Sequence, residues 1–288
     1  MKRIALTGAN GFIASIIREY NKDRYVFQNI TRKEMDLSSP ESVEAFLAQQ
    51  DFDVLVHTAA NAATEFCAAN PELSHVINVE SAVRAAECAK AKHARFIFIS
   101  TEQVFNGRSD SGPFKESDET ACVTNYGKQK IEVEKYLKEH LEDYVVLRLS
   151  SMFGMAMPHV KPSSNFLMRT WNALRTKTPA AFTPNELRGM TYVMPLAEQF
   201  EHILELPTDI YHVSSVNNLT TYDLCCYIAE QLGYSKQEIE TYILRDDARY
   251  ADRFRDYRLD PSKLKSFGID FGTMEENLDR CLRDFGWR

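Results

Sequence analysis

Two side chains in the stretch TNYGKQKIEVEKY, Tyr126 and Lys130, lie four residues apart. On a helix that spacing stacks them on one face. A neighbouring ammonium favours a phenolate and lowers the pKa of the phenol. Such a tyrosine can protonate a carbonyl oxygen while a hydride reaches the carbon. A chain with 13 tyrosines holds about one such pair by chance, so the pair gains meaning from its position. It follows the fourth of five strand-like runs and precedes the fifth. That fourth run ends in RFIFISTEQVFNG, where the apolar residues Phe96 to Ile99 give way to Ser100, Thr101, Glu102 and Gln103. Thr101, at the strand end, is the hydroxyl expected to approach Tyr126 and share a substrate oxygen with it.

A second group of residues could hold a phosphate. RIALTGANGFIAS places Gly8-x-x-Gly11-x-x-Ala14 directly after the first strand and at the head of a helix. Glycines there let the backbone turn tightly and approach a pyrophosphate, whose charge the helix N-terminus favours. The tip of the second strand reads Thr31-Arg32-Lys33, with no acidic residue to accept a ribose 2′-hydroxyl. An arginine suits a 2′-phosphate, so NADP(H) is the preferred cofactor, with NAD(H) as the alternative.

The elements that must position these groups are legible as an alternation. Strand-like runs cover Arg3–Thr7, Tyr25–Thr31, Asp53–His57, Arg95–Ser100 and Tyr144–Leu149, with helical patterns between them. Ser39-Pro40-Glu41 supplies a capping residue and a proline at the first helical position. Further helices are expected from Pro71 to about Lys90 and from Asn125 to about His140. Near-continuous apolar strands alternating with helices indicate a parallel sheet covered on both faces. Right-handed crossovers align the strand C-termini along one edge, where ligands bind in such sheets. The expected fold is α/β, a Rossmann-type doubly wound parallel sheet with a smaller C-terminal cap. Residues 1–153 would form the nucleotide-binding domain and 154–288 mainly the substrate-binding cap. A helix near Pro195 and a strand at Ile210–Ser214, within 195–214, would complete the sheet edge, and a last helix would run from Met274 to Phe285.

Bulk properties narrow the function. The 288 residues carry a formal net charge of −7 and no basic run, which argues against a nucleic-acid partner. Six cysteines show no CxxC pair or Cys/His spacing suited to zinc, so no metal site is expected, and a reducing, cytoplasmic compartment fits. Met1-Lys2-Arg3 and the uncharged run to Ile17 mimic a leader peptide, but Gly8, Asn10 and Gly11 interrupt its apolar part. No apolar stretch is long enough to span a bilayer. His57 ends a strand and reads as a packing residue, and His212 as part of a sheet edge.

Taken in order, TGANGFIA, Asp36-Leu37, HTAAN at 57–61, Asn78 in VINVES, ISTEQVFNG, NYGKQKIEVE and LRLSSMFG resemble the extended short-chain dehydrogenase/reductases. GPFKESDET, GMTYVMPLAE and RFRDYRLDPSKLKSFGI narrow the resemblance to the dTDP-4-dehydrorhamnose reductase branch, nearly end to end. The resemblance implies that Thr101, Tyr126 and Lys130 are the catalytic trio, with Lys130 also on the cofactor ribose. It implies that Gly8, Asn10, Gly11, Phe12 and Ile13 line the pyrophosphate, that Asp36 and Leu37 border the adenine, and that Ala59 and Ala60 border the ribose with Asn78 in support. It further implies a hydride delivered to C4 of a nucleotide-linked 4-keto sugar and Arg253 as a diphosphate ligand; Asn165, near the start of a cap helix, and Glu102 and Gln103 at the strand end are further candidate substrate contacts. The chain departs from the branch at Glu102-Gln103, which replace Asp-Tyr, and at Ser151-Met152, Phe254 and Ser81. None of these touches the trio, but all bear on which sugar is bound.

Two other readings share the scaffold. An epimerase or dehydratase would keep NAD tightly bound and recycle it. A regulatory or binding subunit would retain the cofactor fold without turnover, as the similar beta subunit of methionine adenosyltransferase does. A homodimer formed through the Tyr126 helix is common in the superfamily.

Overall fold

A computed structural model describes residues 1–155 and 164–287, which divide into two compact units. The first comprises Met1–Gly107, Glu119–Leu149 and Ala197–Tyr211. Its strands are β1 (Arg3–Thr7), β2 (Val26–Ile30), β3 (Val54–His57), β4 (Arg95–Thr101) and β5 (Tyr144–Leu149). Its helices are α1 (Phe12–Asn21), α2 (Pro40–Ala48), α3 (Thr64–Ala69), α4 (Pro71–His75), α5 (Ser81–Ala91) and α6 (Asn125–His140). The strands form a central parallel sheet whose six-strand order is Asp209–Val213, β5, β4, β3, β1, β2. The segment Asp209–Val213 is therefore the edge strand beside β5.

The sheet follows from its composition. All four residues of β3 and all six of β5 are buried, as befits strands covered on both faces. One layer of core packs Phe96 and Phe98 of β4 against Ala82, Ala85, Ala86 and Ala89 of α5 and Val133 and Leu137 of α6. The alanines let α5 lie close to the sheet. Ser39 caps α2 by accepting from the Ser42 N–H, with Pro40 at the first helical position.

The expected continuous helix over Pro71–Lys90 differs from what forms. Between α4 and α5 the backbone widens into a π-helical segment, Val76–Glu80, which leaves Asn78 buried. Such an insertion rotates the side chains by part of a turn and is frequent at functional sites. Here it accompanies an amide network described below. The short helix α3 was not anticipated.

The second unit comprises Arg108–Asp118, Ser150–Leu196 and His212–Arg288. Three short parallel pairs run through it: Ser151–Phe153 with Met190–Tyr192, Ala180–Phe182 with Ile243–Arg245, and Glu186–Leu187 with Arg255–Asp256. Helix Phe166–Thr176 packs on helix Thr221–Gln231, and Met274–Asp284 closes the chain with a Thr273–Glu276 capping box. Two motifs distant in sequence pair here. The Phe114 N–H donates to Arg258 O at 2.8 Å, and the Asp260 N–H donates to Phe114 O at 2.7 Å. GPFKES and LDPSKL are thus neighbours, and a Cβ on Gly112 would lie 2.8 Å from Arg258 O. Cys225 is fully buried in this unit, and all six cysteines are free thiols.

Candidate active site

The phosphate-binding turn is built by close approach. Gly8 has φ +65, and a Cβ there would lie 2.8 Å from Thr58 Oγ1 and 3.0 Å from the Ala59 backbone. Only glycine satisfies both the left-handed backbone and the space. The Gly11 N–H donates to Gly8 O at 2.7 Å, and Ser15 donates to Gly11 O at 2.7 Å, fixing the turn onto α1. No side chain caps α1 at Gly11, which leaves its first-turn amides without a side-chain acceptor there. Thr58 donates to Thr7 O at 2.7 Å, which ties the end of β3 to that of β1. These features fit a dinucleotide pyrophosphate. Asn10 is exposed, and Phe12 and Ile13 are half-buried at the head of α1.

Beyond β2, Arg32, Lys33 and Asp36 are exposed, and each local turn is closed by its own neighbours. Glu34 accepts from the Thr31 N–H at 2.8 Å, and Asp36 from the Ser38 N–H at 2.9 Å. Hydrogen bonds from Ser38, aided by the charge of Arg32, hold Asp36 below the usual carboxylate range. Leu37 is half-buried, and Ser81 donates to its carbonyl at 2.6 Å. The hydroxyl at position 81 thereby joins α5 to the loop expected at the adenine.

Ala59 and Ala60 are half-buried, and the Ala59 N–H donates to Thr7 Oγ1 at 3.3 Å. Asn78, turned inward by the π segment, accepts from the Asn61 N–H at 2.8 Å and donates to Gln129 Oε1 at 2.8 Å. Gln129 in turn donates to Ser74 Oγ at 2.8 Å. A buried amide chain therefore links the 57–61 loop to α6. Gln129 was not singled out in the sequence, because nothing in its neighbourhood marks it as buried.

The approach of α6 to the end of β4 rests on Gly127. A Cβ at that position would lie 2.1 Å from Cys122 Sγ and 3.0 Å from Gln103 O. The 3₁₀ turn Glu102–Phe105 is also stitched to the start of α6 by Asn106, which donates to Gln103 Oε1 at 2.6 Å and accepts from the Val123 N–H at 3.0 Å. Thr124 caps α6, accepting from the Gly127 N–H. Tyr126 is therefore carried to the turn that follows Thr101. Thr101 Oγ1 accepts from the Gln103 N–H at 3.2 Å, which leaves its own proton to be donated. Glu102 is 1 % exposed and turned into the protein, whereas Gln103 is half-buried.

Lys130 is 2 % exposed. Its Nζ donates to Ile99 O at 2.7 Å and lies 4.3 Å from the Phe98 ring centroid and 5.7 Å from that of Tyr126. Burial pushes this amine down to about 7, with the Glu134 carboxylate opposing the shift. The expectation that Tyr126 is shifted toward phenolate is corrected here. Burial, with the nearby Cys67 adding to it, pushes the phenol up from its ordinary value. The low-dielectric surroundings outweigh the amine, whose own charge is weakened by the same burial.

His57 is 1 % exposed and stacks on Phe96 and Phe98 at 6.0 and 6.2 Å, with Nδ1 3.1 Å from Thr7 Oγ1. Burial, with Lys130 adding to it, pushes His57 down to about 3, so the imidazole is a neutral packing group. His212 is buried in the edge strand, and its N–H donates to Glu116 Oε1 at 2.9 Å.

In the second unit, Asn165 is 4 % exposed and caps helix Phe166–Thr176, accepting from the Met168 N–H while donating to Gly154 O, both at 3.0 Å. Its amide anchors the start of that helix. Arg253 is half-buried in a turn where its N–H donates to Tyr250 O at 3.2 Å. Among the described residues, no cluster of three or more His, Cys, Asp or Glu could hold a metal ion, and no helix is long and apolar enough to cross a membrane.

Comparison with known proteins places this geometry in a family. The family model described as the RmlD substrate binding domain matches residues 1–286. The chain belongs to the RmlD family. Its six-stranded parallel sheet has the fold of dTDP-4-dehydrorhamnose reductases of known structure. The chain is 27% identical to the spore coat polysaccharide biosynthesis protein SpsK of Bacillus subtilis, over 85% of this chain and 82% of that one. It is 26% identical to the probable low-salt glycan biosynthesis reductase Agl14 of Haloferax volcanii, over 95% of each. It is also 26% identical to the methionine adenosyltransferase 2 subunit beta of Bos taurus, over 100% of this chain and 90% of that one. Among solved structures, the dTDP-4-dehydrorhamnose reductase of Bacillus anthracis in complex with NADP aligns with a TM-score of 0.85 at 21% identity, covering 98% and 99% of the two chains. The Yersinia enterocolitica dTDP-4-dehydrorhamnose reductase aligns at 0.87 and 19%, covering 99% and 100%. The UDP-glucose 4-epimerase of Thermotoga maritima aligns at 0.81 and 19%, covering 99% and 98%. The structural likenesses are of fold.

Proposed function

We propose that this RmlD-family protein is an NADPH-dependent reductase of a nucleotide-linked 4-keto sugar, with hydride to C4 and Tyr126 as proton donor. The observation that carries the reading is the junction of β4 and α6. It joins the Thr101 turn to Tyr126 through Gly127 and Asn106 and leaves Lys130 buried on the Ile99 carbonyl. A nicotinamide cofactor, when bound, supplies the hydride. The residues that would hold it are Gly8, Asn10, Gly11, Phe12 and Ile13 at the pyrophosphate, Asp36 and Leu37 at the adenine, and Ala59, Ala60 and Lys130 at the ribose, with Asn78 behind them. Arg32 would meet a 2′-phosphate.

The protein's own part is proton transfer. The Tyr126 O–H bond breaks as its proton passes to the ketone oxygen, which becomes the C4 hydroxyl. A neutral phenol is the correct starting state, and its raised pKa keeps it protonated at working pH. The phenolate left behind then needs a neighbouring cation, which Lys130 provides when protonated. Thr101, with its oxygen already accepting from Gln103, can donate to the same ketone oxygen. Arg253 is carried in this reading as the diphosphate ligand and Gln103 as a contact to the sugar. The cap at Asn165 and the inward turn of Glu102 give neither of those residues such support.

The test is NADPH oxidation against dTDP-, GDP- and UDP-linked 4-keto sugars. One of these should turn over, and Tyr126→Phe should lose about 10²–10⁴-fold in kcat while still binding NADPH. Unchanged turnover in Tyr126→Phe would refute the mechanism. The full-length match to the methionine adenosyltransferase beta subunit supports a second reading, a cofactor-binding subunit without turnover. It predicts NADPH binding with no oxidation on any sugar of the panel.

A further inference from the structure

Lys130 is placed where its charge is hardest to keep. The amine lies against the Phe98 ring and donates to the Ile99 carbonyl, yet the proposed chemistry needs it as an ammonium beside Tyr126. One helical turn farther along α6, at i+4, stands Glu134, 3 % exposed. Two strands converge on it. Ser100 of β4 and Arg148 of β5 are register partners in the parallel ladder, so their side chains emerge on the same face of the sheet. That face is the one beneath α6. Ser100 Oγ donates to Glu134 Oε1 at 2.5 Å, and Arg148 donates to Glu134 Oε2 from Nη2 at 2.6 Å and from Nε at 3.2 Å. The Arg148 guanidinium also lies 5.2 Å from the Phe105 ring centroid, in the turn that follows Thr101. Three consecutive residues of β4 therefore serve three neighbouring groups: Ile99 O accepts from Lys130, Ser100 grips Glu134, and Thr101 opens to the site.

We infer that Glu134, gripped by Ser100 and Arg148, is a positioning residue that keeps the Lys130 amine protonated, and that Arg148 limits how strongly it does so. The inference rests on the reading of Lys130 as the amine of the reductase site. Burying two charges is costly, and a pair of apolar residues would hold α6 on the sheet as well or better. A pair whose carboxylate belongs to the same helix as Lys130, one turn away, does something an apolar pair cannot. The other titratable groups facing Lys130 do not supply a counter-charge. Tyr126 on α6 is a neutral phenol and His57 on β3 a neutral imidazole. β4 contributes the Ile99 carbonyl, and Arg148 of β5 bears on Lys130 through Glu134, to which it donates. Glu134 is the carboxylate that opposes the burial of Lys130.

The two partners make predictions of opposite sign. Glu134→Gln removes the carboxylate and leaves Arg148 uncompensated, so both changes disfavour a second cation at Lys130. Arg148→Met leaves the carboxylate without its neutralising partner and favours the ammonium. The direct readout is the ¹³Cε resonance of Lys130 in cofactor-free, lysine-labelled protein, assigned by its loss in Lys130→Met and titrated with pH. Glu134→Gln should move the midpoint about one unit toward acid, and Arg148→Met should move it toward alkaline. The double variant should fall between them. With substrate, the alkaline limb of kcat/KM should move in the same directions.

Midpoints that do not move, or that move the same way in both folded single variants, would overturn the inference, because a purely structural pair has no reason to give opposite signs. Breaking one half of a buried pair is strongly destabilising, so a single variant can fail to fold, whereas the double variant leaves no uncompensated charge. In that event the double variant decides: its Lys130 midpoint should still lie acid of the parent, and an identical midpoint overturns the inference. Because the titration needs neither cofactor nor turnover, its failure is distinguishable from failure of the reductase assay.

Discussion

The two ends of the candidate cofactor cradle are made in different ways. At the deep end, around Tyr126 and Lys130, the buried polar groups are held by residues far away in sequence. Asn78 meets Gln129, Ser100 meets Glu134, and Ile99 meets Lys130 across separations of 51, 34 and 31 residues. At the open end, around Thr31 to Asp36, the polar groups are fixed by neighbours two or three residues on, and the charged side chains face water. Long-range closure buries titratable groups and shifts them, as at Lys130 and His57. Local closure leaves them near solvent, where a substitution alters what is bound more than how the chain folds. The deep end is therefore where substitutions should couple chemistry to stability, and the open end is where the two should separate.

The largest expected effect is at the glycine turn that joins the two ends. Gly8→Ala forces a Cβ to 2.8 Å from Thr58 Oγ1 in a left-handed backbone. It should cost about 3 kcal/mol in denaturant unfolding and remove the fluorescence signal of bound NADPH. A variant with parental stability and binding would show that the turn is not closed as described. Gly127→Ala should come next, at about 2 kcal/mol, since the new methyl meets Gln103 O and Cys122 Sγ. At the deep end stability and kcat should fall together; a kcat that is unaffected in the folded variant would separate the α6 approach from catalysis.

His57 offers a graded test of the same contrast. Its folded-state pKa, near 3, is far below the unfolded value of about 6.5, so the unfolded chain binds the extra proton first. The stability this neutral imidazole contributes is complete above pH 6.5 and is lost as pH falls from there toward 3. The slope approaches roughly 1.4 kcal/mol per pH unit. In His57→Gln the unfolding free energy should fall less steeply between pH 6.5 and 5.5 by about 1 kcal/mol. Parallel curves for parent and variant would mean that His57 titrates normally and that the deep end is wetter than its burial suggests.

The same contrast explains what the sequence alone could reveal. Strand positions and the parallel sheet were legible because near-continuous apolar runs alternate with capped helices, and the Tyr126–Lys130 pair because spacing on a helix is a local property. What escaped is what depends on register between strands or on the close approach of two segments. Nothing near Ser100, Glu134 or Arg148 announces that β4 and β5 pair so as to bring all three together. Gly127 reads as a poor helix residue until the turn it faces is known. The π segment at Val76–Glu80 follows from where Asn78 must point, and a run of VINVE carries no local sign of it. Asn165 is the converse case. An asparagine before an apolar helical run is a capping signal, and the capping role is the one its amide performs.

The smallest expected effect sharpens the comparison from the open end. Arg32 is exposed beyond the tip of β2, and its charge reaches Asp36 without a direct ion pair among the described residues. Replacing it with alanine removes no buried surface and no long-range hydrogen bond, so unfolding should be unchanged within about 0.5 kcal/mol. If Arg32 meets a 2′-phosphate, Arg32→Ala should raise the KM for NADPH about tenfold, the equivalent of about 1.4 kcal/mol for one charge-assisted contact, with kcat and the KM for NADH unchanged. The ratio of the two KM values isolates the phosphate from everything else the cofactor touches. A parallel rise for both cofactors would assign Arg32 to the shared part of the dinucleotide, and no change in either would leave it a solvated charge. A loss of stability or of kcat would break the contrast itself, since it would mean that an exposed, locally closed end reaches the chemistry after all.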